Sequence, residues 1–337
     1  MAKLEKRSGI TADVLKKAGL RENTIRAGGS AIRHYEEKFL GSLPATVTDI
    51  KSYIVFSLES GLAVTTISQR IALLSIWHRE FGFPDPTKNS EVKATLKGAR
   101  SLYGVEQKQA EPLTMSQLAM VVEACDEDIE IASTINDRRK ARAKALLAIR
   151  DKAYFLTGFW FAFRSDEMVR LDFKNISFGT ADAQNGSVMR TMRLYLQSTK
   201  GDRNSDGQNW TIQEMRTLCP VNAMLDWKAA RFADSGPVFV GITRWGQPSV
   251  NALHINSVQK VICSGLARAG IDPSIYSTHS LRRGFANYAI SHNADARELQ
   301  QWVKWKDIRS AIGYLNANNN FVNDLVKNDP LLRIGRD

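Results

Sequence analysis

Thr278-His279-Ser280-Leu281-Arg282-Arg283-Gly284 sets a histidine and an arginine three residues apart, so on a helix they share a face. One such residue can move a proton while the other neutralises phosphate oxygens, the pairing that phosphoryl transfer requires. Alone the pair is common by chance, and its surroundings decide its meaning. Downstream runs Trp305-Lys306-Asp307-Ile308-Arg309-Ser310-Ala311-Ile312-Gly313-Tyr314, which sets Tyr314 nine positions after Trp305 and thirty-five after His279. Upstream, Arg164-Ser165-Asp166-Glu167 closes the apolar run Tyr154 to Phe163, with a carboxylate three residues after an arginine.

Around these motifs the pattern reads as mainly α with a small antiparallel β-sheet. Ser116 to Cys125 and Lys140 to Arg164 carry helical periodicity. Lys174 to Phe178 reads as a short strand, and Val188 to Leu196 alternates as a half-buried one. Gly201 to Asn209 is rich in Gly, Asp and Asn and reads as a turn, with Trp210 to Ile212 starting the return strand. From Val221 onward the expectation is helix. Phe321 to Lys327 places Phe321, Val322, Leu325 and Val326 on one apolar stripe, which either packs on its own domain or docks elsewhere.

The first third reads as four short helices. Thr24 is the expected cap of a segment reaching Phe39, whose middle Gly28 and Gly29 weaken unless something packs or approaches closely there. Thr48 to Leu58 follows, closed by Gly61. A third helix starts at Thr65 or Thr66 with Ile67, Ile71, Leu74 and Trp77 along one face, and a fourth runs from Glu91 to Leu102 beyond Gly82, Pro84 and Pro86. The polar stretch 104–112 (GVEQKQAEP) reads as a linker. It divides a helical domain over 1–103 from a second domain over 113–337.

Charge points to a polyanion. The chain has 46 Lys and Arg against 35 Asp and Glu, a net charge of +11. Both parts lean basic: residues 1–110 hold 17 basic and 11 acidic side chains, leaving 29 and 24 for the rest. Nucleic acid fits, because neutralising phosphates releases counterions. The three cysteines, Cys125, Cys219 and Cys263, form neither a metal pattern nor a disulfide framework. No signal peptide or membrane span is read, so the protein is expected to be cytoplasmic and nucleoid-associated, without a membrane partner. With no carboxylate cluster for a divalent metal and no phosphate-cradling glycine loop, no metal, cofactor or small-molecule substrate is expected.

The set Arg164 and Glu167, Lys200, His279 and Arg282, Trp305 and Tyr314, in this order, resembles the tyrosine recombinase (phage integrase) family. Every motif position is filled, and the helical first domain, linker and later sheet follow the same plan. Trp305, where His is commoner, and the segment Gly61 to Ile67 resemble the Cre-like branch. The resemblance implies a two-domain architecture, a core-DNA-binding domain of the SAM-like bundle type followed by a catalytic domain with a C-terminal docking helix. It also implies a site-specific recombinase working through a 3′-phosphotyrosine intermediate, on double-stranded DNA with a specific target site, as a homotetramer on two sites.

On that resemblance Tyr314 is the nucleophile, with Tyr288 and Tyr276 lacking its spacing. Arg164 and Arg282 clamp the phosphate, Arg283 being off the His-x-x-Arg spacing. Glu167 orients Arg164 or His279, with Asp166 as the alternative. Lys200 protonates the departing oxygen, though Arg203 lies nearby. Trp305 can donate but not shuttle a proton, and Trp302 competes for its place. The expected DNA contacts are Arg26, Arg33, Arg70 and Lys97 in the first domain and Arg244 and Lys260 in the second. Gln69 and Arg70 are the expected base readers. Two other readings stay open: a type IB topoisomerase, which shares the chemistry without a defined site, and an architectural DNA-binding module with a dead site.

Overall fold

The computed structural model describes residues 22–105, 109–182, 188–197, 207–309 and 311–312. The chain divides into two compact units, residues 1–108 and 109–337.

In the first unit, helices α1 (Glu22–Arg33), α2 (Val47–Glu59), α3 (Val64–Glu80) and α4 (Ser90–Tyr103) surround a core of Tyr35, Ile50, Tyr53, Ile54, Ile67, Ile71, Leu74 and Val92. Helix α2 starts in a capping box, where the Thr46 hydroxyl accepts the Asp49 N–H and the Asp49 carboxylate accepts the Thr46 N–H. This moves the start ahead of Thr48. Helix α1 likewise begins at Glu22 rather than at a Thr24 cap, and its α geometry stops at Arg33. A π turn, His34–Lys38, carries the chain on, and it brings Tyr35 and Phe39 onto Tyr53 with ring centroids 5.1 and 5.3 Å apart. A Cβ on Gly28 or Gly29 would meet nothing within 4 Å, so neither glycine serves close packing.

His78 on α3 is fully buried and holds the unit's loop to its helix. The Ala45 N–H donates to Nε2 at 2.9 Å, so Nδ1 carries the proton and donates to the Leu74 carbonyl at 2.8 Å.

The second unit is built on α6 (Arg138–Trp160), paired with α5 (Met115–Thr134). From Ala148 to Phe159 α6 is buried on nearly every side, as a central helix must be. Its Asp137 cap moves the start ahead of Lys140 and it stops at Trp160, before Arg164. A short helix α7 (Ser165–Val169) follows. Next comes an antiparallel sheet of order β1-β2-β3: β1 (Ile176–Asp182), β2 (Val188–Leu196) and β3 (Gln208–Gln213). Met192, Leu194, Leu196, Trp210 and Ile212 point alternately into the core.

Lys174 and Asn175, expected to open a strand, instead belong to a 3₁₀ turn (Phe173–Asn175), because the Asp172 carboxylate accepts the Lys174 N–H at 3.0 Å. Helices α8 (Pro220–Arg231), α9 (Ile255–Arg268), α10 (Ser280–Ser291) and α11 (Ala296–Val303) complete the unit. Between α8 and α9 the expected helix is absent. A hairpin of β4 (Val240–Ile242) and β5 (Pro248–Ala252) takes its place, turned by Gly246 at φ +70°. Glu111 and Leu113, at the end of the linker stretch, donate backbone N–H groups to the carbonyls of Ile275 and Ser280, both at 2.9 Å. Among the described residues no helix is long and apolar enough to cross a membrane.

Replacing His78 with Leu should leave the Ala45 N–H buried without an acceptor. A loss of about 1–3 kcal/mol in chemical denaturation followed on the first unit's tyrosines is expected. Unchanged stability would contradict the role assigned to this ring.

Candidate active site

The site starts where α6 ends. Trp160 is its last residue, and Ala162 adopts a left-handed conformation (φ +50°) that reverses the chain. Phe161 and Phe163 stack in the core on either side of it, with centroids 5.3 Å apart. The reversal delivers Arg164 to the N-cap of α7. Glu167, at the third helical position, then reaches back to it: the Arg164 N–H donates to Oε2 at 2.7 Å and Arg164 Nη1 donates to Oε1 at 2.8 Å. The three-residue spacing read in the sequence is thus a capping box whose acid is 3% exposed.

Arg282 arrives from α10 and is almost fully buried. Its Nη1 donates to the Ala162 carbonyl at 2.5 Å and its Nη2 to the Val303 carbonyl at 3.0 Å. Nη1 also lies 3.9 Å from Glu167 Oε2. One buried carboxylate therefore faces two guanidinium groups from separate helices. Such a group cannot be left alone in a low-dielectric interior, so the three side chains hold each other in place. The Arg282 guanidinium lies 5.4 Å from the centre of the Trp305 ring.

Trp305 is half-buried just past α11. Lys304 closes that helix in a left-handed conformation (φ +54°), and Trp305 N–H bonds the Gln300 carbonyl at 3.1 Å. His279 is exposed at the N-cap of α10. Its carbonyl accepts the Arg283 N–H at 3.0 Å, which puts it one helical turn from Arg282.

Arg164, Glu167, Arg282 and Trp305 thus come together, with His279 on the helix that carries Arg282. Lys200 and Tyr314 lie outside the described residues, as do Arg203 and the stripe Phe321 to Val326. Two competitors have other partners. Asp166 is exposed and pairs with Arg170 at 2.9 Å. Trp302 donates its indole N–H to the Trp160 carbonyl at 2.8 Å, and its own carbonyl accepts the Trp210 indole, so it braces the core. The carbonyls of Ala162 and Val303, which fix the Arg282 plane, escaped sequence reading, because any residue supplies a carbonyl.

The expected DNA contacts are mostly exposed. In the first unit Arg26 and Arg33 lie on α1, Gln69 on α3 and Lys97 on α4. Arg70 is half-buried instead. It sits beside the Tyr53 hydroxyl and His34, and it helps burial to lower the His34 pKa, with Lys38 adding to the effect. In the second unit Lys260 is exposed on α9 and Arg244 at the tip of the β4–β5 hairpin.

No family model matches the chain. Among curated proteins it is 27% identical over 284 residues to an integrase/recombinase XerD homolog of Selenomonas ruminantium, covering 83% of this chain and 76% of that one. It is 25% identical over 278 residues to the recombinase Cre of Escherichia phage P1, covering 81% and 76%. Over most of its length the chain is thus similar to tyrosine recombinases. The fold matches that of the XerH site-specific recombinase bound to palindromic difH substrate in a post-cleavage complex. There the TM-score is 0.59 at 16% identity, over 93% of this chain and 82% of that one. The Tn1549 transposon integrase in complex with transposon right end DNA gives a TM-score of 0.53 at 14% identity, over 94% and 95%. A mainly helical tyrosine recombinase fold with a small antiparallel sheet is what the sequence motifs implied.

Glu167→Ala should release both guanidinium groups and the Arg164 N–H, with a loss of about 1–3 kcal/mol in urea denaturation. Glu167→Gln, which keeps an acceptor for that N–H, should recover part of this. Equal stability of both variants and the unsubstituted protein would contradict the bridging role.

Proposed function

We propose that this chain is a site-specific recombinase that cuts and rejoins double-stranded DNA through a covalent link to Tyr314. The observation that carries the proposal is the pair Arg164 and Arg282, both turned toward the buried Glu167 carboxylate. A transferring phosphoryl group gathers negative charge on its non-bridging oxygens, and two fixed guanidinium groups are suited to receive it. Because Glu167 and the carbonyls of Ala162 and Val303 fix these groups before DNA arrives, little reorganisation is needed at the moment of reaction.

In this reading the Tyr314 hydroxyl attacks the scissile phosphorus, forming a Tyr–O–P bond as the bond to the 5′-oxygen breaks. A phenol with a pKa of about 10 must lose its proton on the way. His279 or a phosphate oxygen takes it. Trp305 cannot, since indole has a donor and no acceptor, so its part is to hold a phosphate oxygen. Lys200 gives a proton to the departing 5′-oxygen. Rejoining runs the same steps backward: the 5′-hydroxyl attacks the phosphotyrosine, whose bond has conserved the energy of the one broken, so the cycle calls for no nucleotide.

The basic side chains Arg26, Arg33, Lys97, Arg244 and Lys260 serve the DNA backbone in this proposal, and Gln69 and Arg70 read bases. Assembly as a homotetramer on two sites is part of it. The apolar residues Phe321, Val322, Leu325 and Val326, which recur at helical spacing in the sequence, support that assembly, since so short an amphipathic segment is marginal without a partner surface.

Nicked duplexes from a random-sequence library test the reading, because cleavage near the nick traps the covalent adduct. The unsubstituted protein should form an adduct on a restricted set of sequences. An adduct on arbitrary duplex would indicate a type IB topoisomerase, and none at all an architectural protein. Tyr314→Phe should abolish the adduct while DNA binding persists. Arg282→Ala should slow its formation by about 10²–10³-fold, and a loss below tenfold would count against the clamp.

A further inference from the structure

The β4–β5 hairpin presents Trp245, 44% exposed, at its tip. The Arg244 guanidinium stands 4.4 Å from the ring centre, and that of Arg139 stands 5.5 Å away. Arg139 belongs to a different element, the first turn of α6. The two elements are fastened together where Gly246, buried at the turn, lies against α6. A Cβ there would come within 2.9 Å of the Ala143 nitrogen and of Arg142 Cγ. The turn itself is closed by hydrogen bonds. Thr243 exchanges backbone hydrogen bonds with Gly246 and Gln247 at 2.9 and 3.0 Å, and its hydroxyl oxygen accepts the N–H groups of Trp245 and Gln247.

Around this indole the surface is strongly basic. Arg138, Arg139, Lys140 and Arg142 are exposed on α6 and Arg244 on the hairpin. The nearby acid, Asp137, is engaged as the helix cap, accepting the N–H groups of Arg139 and Lys140. Two guanidinium groups drawn to one ring repel each other in water, and the negative face of the indole offsets part of that repulsion. An anion reaching both would offset more. The ring also removes freedom from two long side chains before any ligand arrives.

We propose that Trp245 is a positioning residue that preorganises Arg139 and Arg244 as one phosphate clamp on the DNA backbone, outside the Arg164–Arg282 site. This rests on the recombinase reading, and it adds Arg139 and the start of α6 to the DNA-binding surface. The run Arg138 to Lys144 is basic in the sequence, but nothing there places it beside residue 245.

Fluorescence anisotropy with a labelled random-sequence duplex, titrated across salt concentrations, tests the clamp on the full chain. Each phosphate contact contributes about 0.9 to the slope of log affinity against log salt. Arg139→Gln and Arg244→Gln should each lower the slope by about that amount. Trp245→Ala, which keeps both charges, should weaken binding about two- to tenfold, and Trp245→Phe should restore most of it. In the Trp245→Ala background, Arg139→Gln should cost less than it does alone. Thermal unfolding of each variant shows whether the hairpin remains docked. A merely structural indole would lower the unfolding temperature and leave the slopes of the arginine variants at the unsubstituted value, which would overturn the clamp. Failure of the recombinase reading looks different: the unsubstituted protein would form no covalent adduct on the nicked duplexes, or one on arbitrary duplex, whatever the salt slopes of the variants.

Discussion

A carboxylate with almost no access to water, Glu167, sits between two guanidinium groups that come from different helices. Removing the acid would leave two guanidinium groups without their shared counter-charge, so the chain must bring α7 and α10 together with the correct rotation. The reversal at Ala162 serves this constraint, and so does the pairing of Arg282 with the carbonyls of Ala162 and Val303. The arginines are thereby oriented by the fold itself. Their shared acid is buried between them.

The surrounding packing explains why this arrangement is stiff. Helix α6 is buried along its second half and ends in the stacked pair Phe161 and Phe163. Trp302 hangs from the Trp160 carbonyl and accepts the Trp210 indole, tying the end of α11 to α6 and to the sheet. Trp305 follows three residues later against the Arg282 guanidinium. Two tryptophans of similar appearance in the sequence thus divide their work: one braces the core and the other faces the arginine. The nine-residue spacing to Tyr314 pointed to the second of them.

Much of the fold was legible because periodicity is a local signal. The apolar face Ile67, Ile71 and Leu74 marked α3, and the alternation of Val188 to Leu196 matched β2 at both ends. Helix starts were read one to three residues late wherever a capping residue lay ahead of the apolar run, as at Thr46 and Asp137. The β4–β5 hairpin was missed because its strands are short and β5 is largely exposed, which leaves little alternation to detect. The π turn at His34–Lys38 keeps helical composition while changing the winding, and composition cannot report that. In the site, Arg164, Glu167 and Arg282 were legible from spacing. Their mutual contact depends on a left-handed alanine and two backbone carbonyls, which carry no side-chain signature.

The central claim is that this arginine pair holds a phosphodiester beside one phenolic oxygen. Mass spectrometry of the peptide that stays attached to DNA after proteolysis of trapped cleavage complexes tests it most directly. The account predicts a single nucleotide-modified peptide with the phosphate on Tyr314. A modified peptide carrying the phosphate on Tyr288, Tyr276 or any other residue would contradict it.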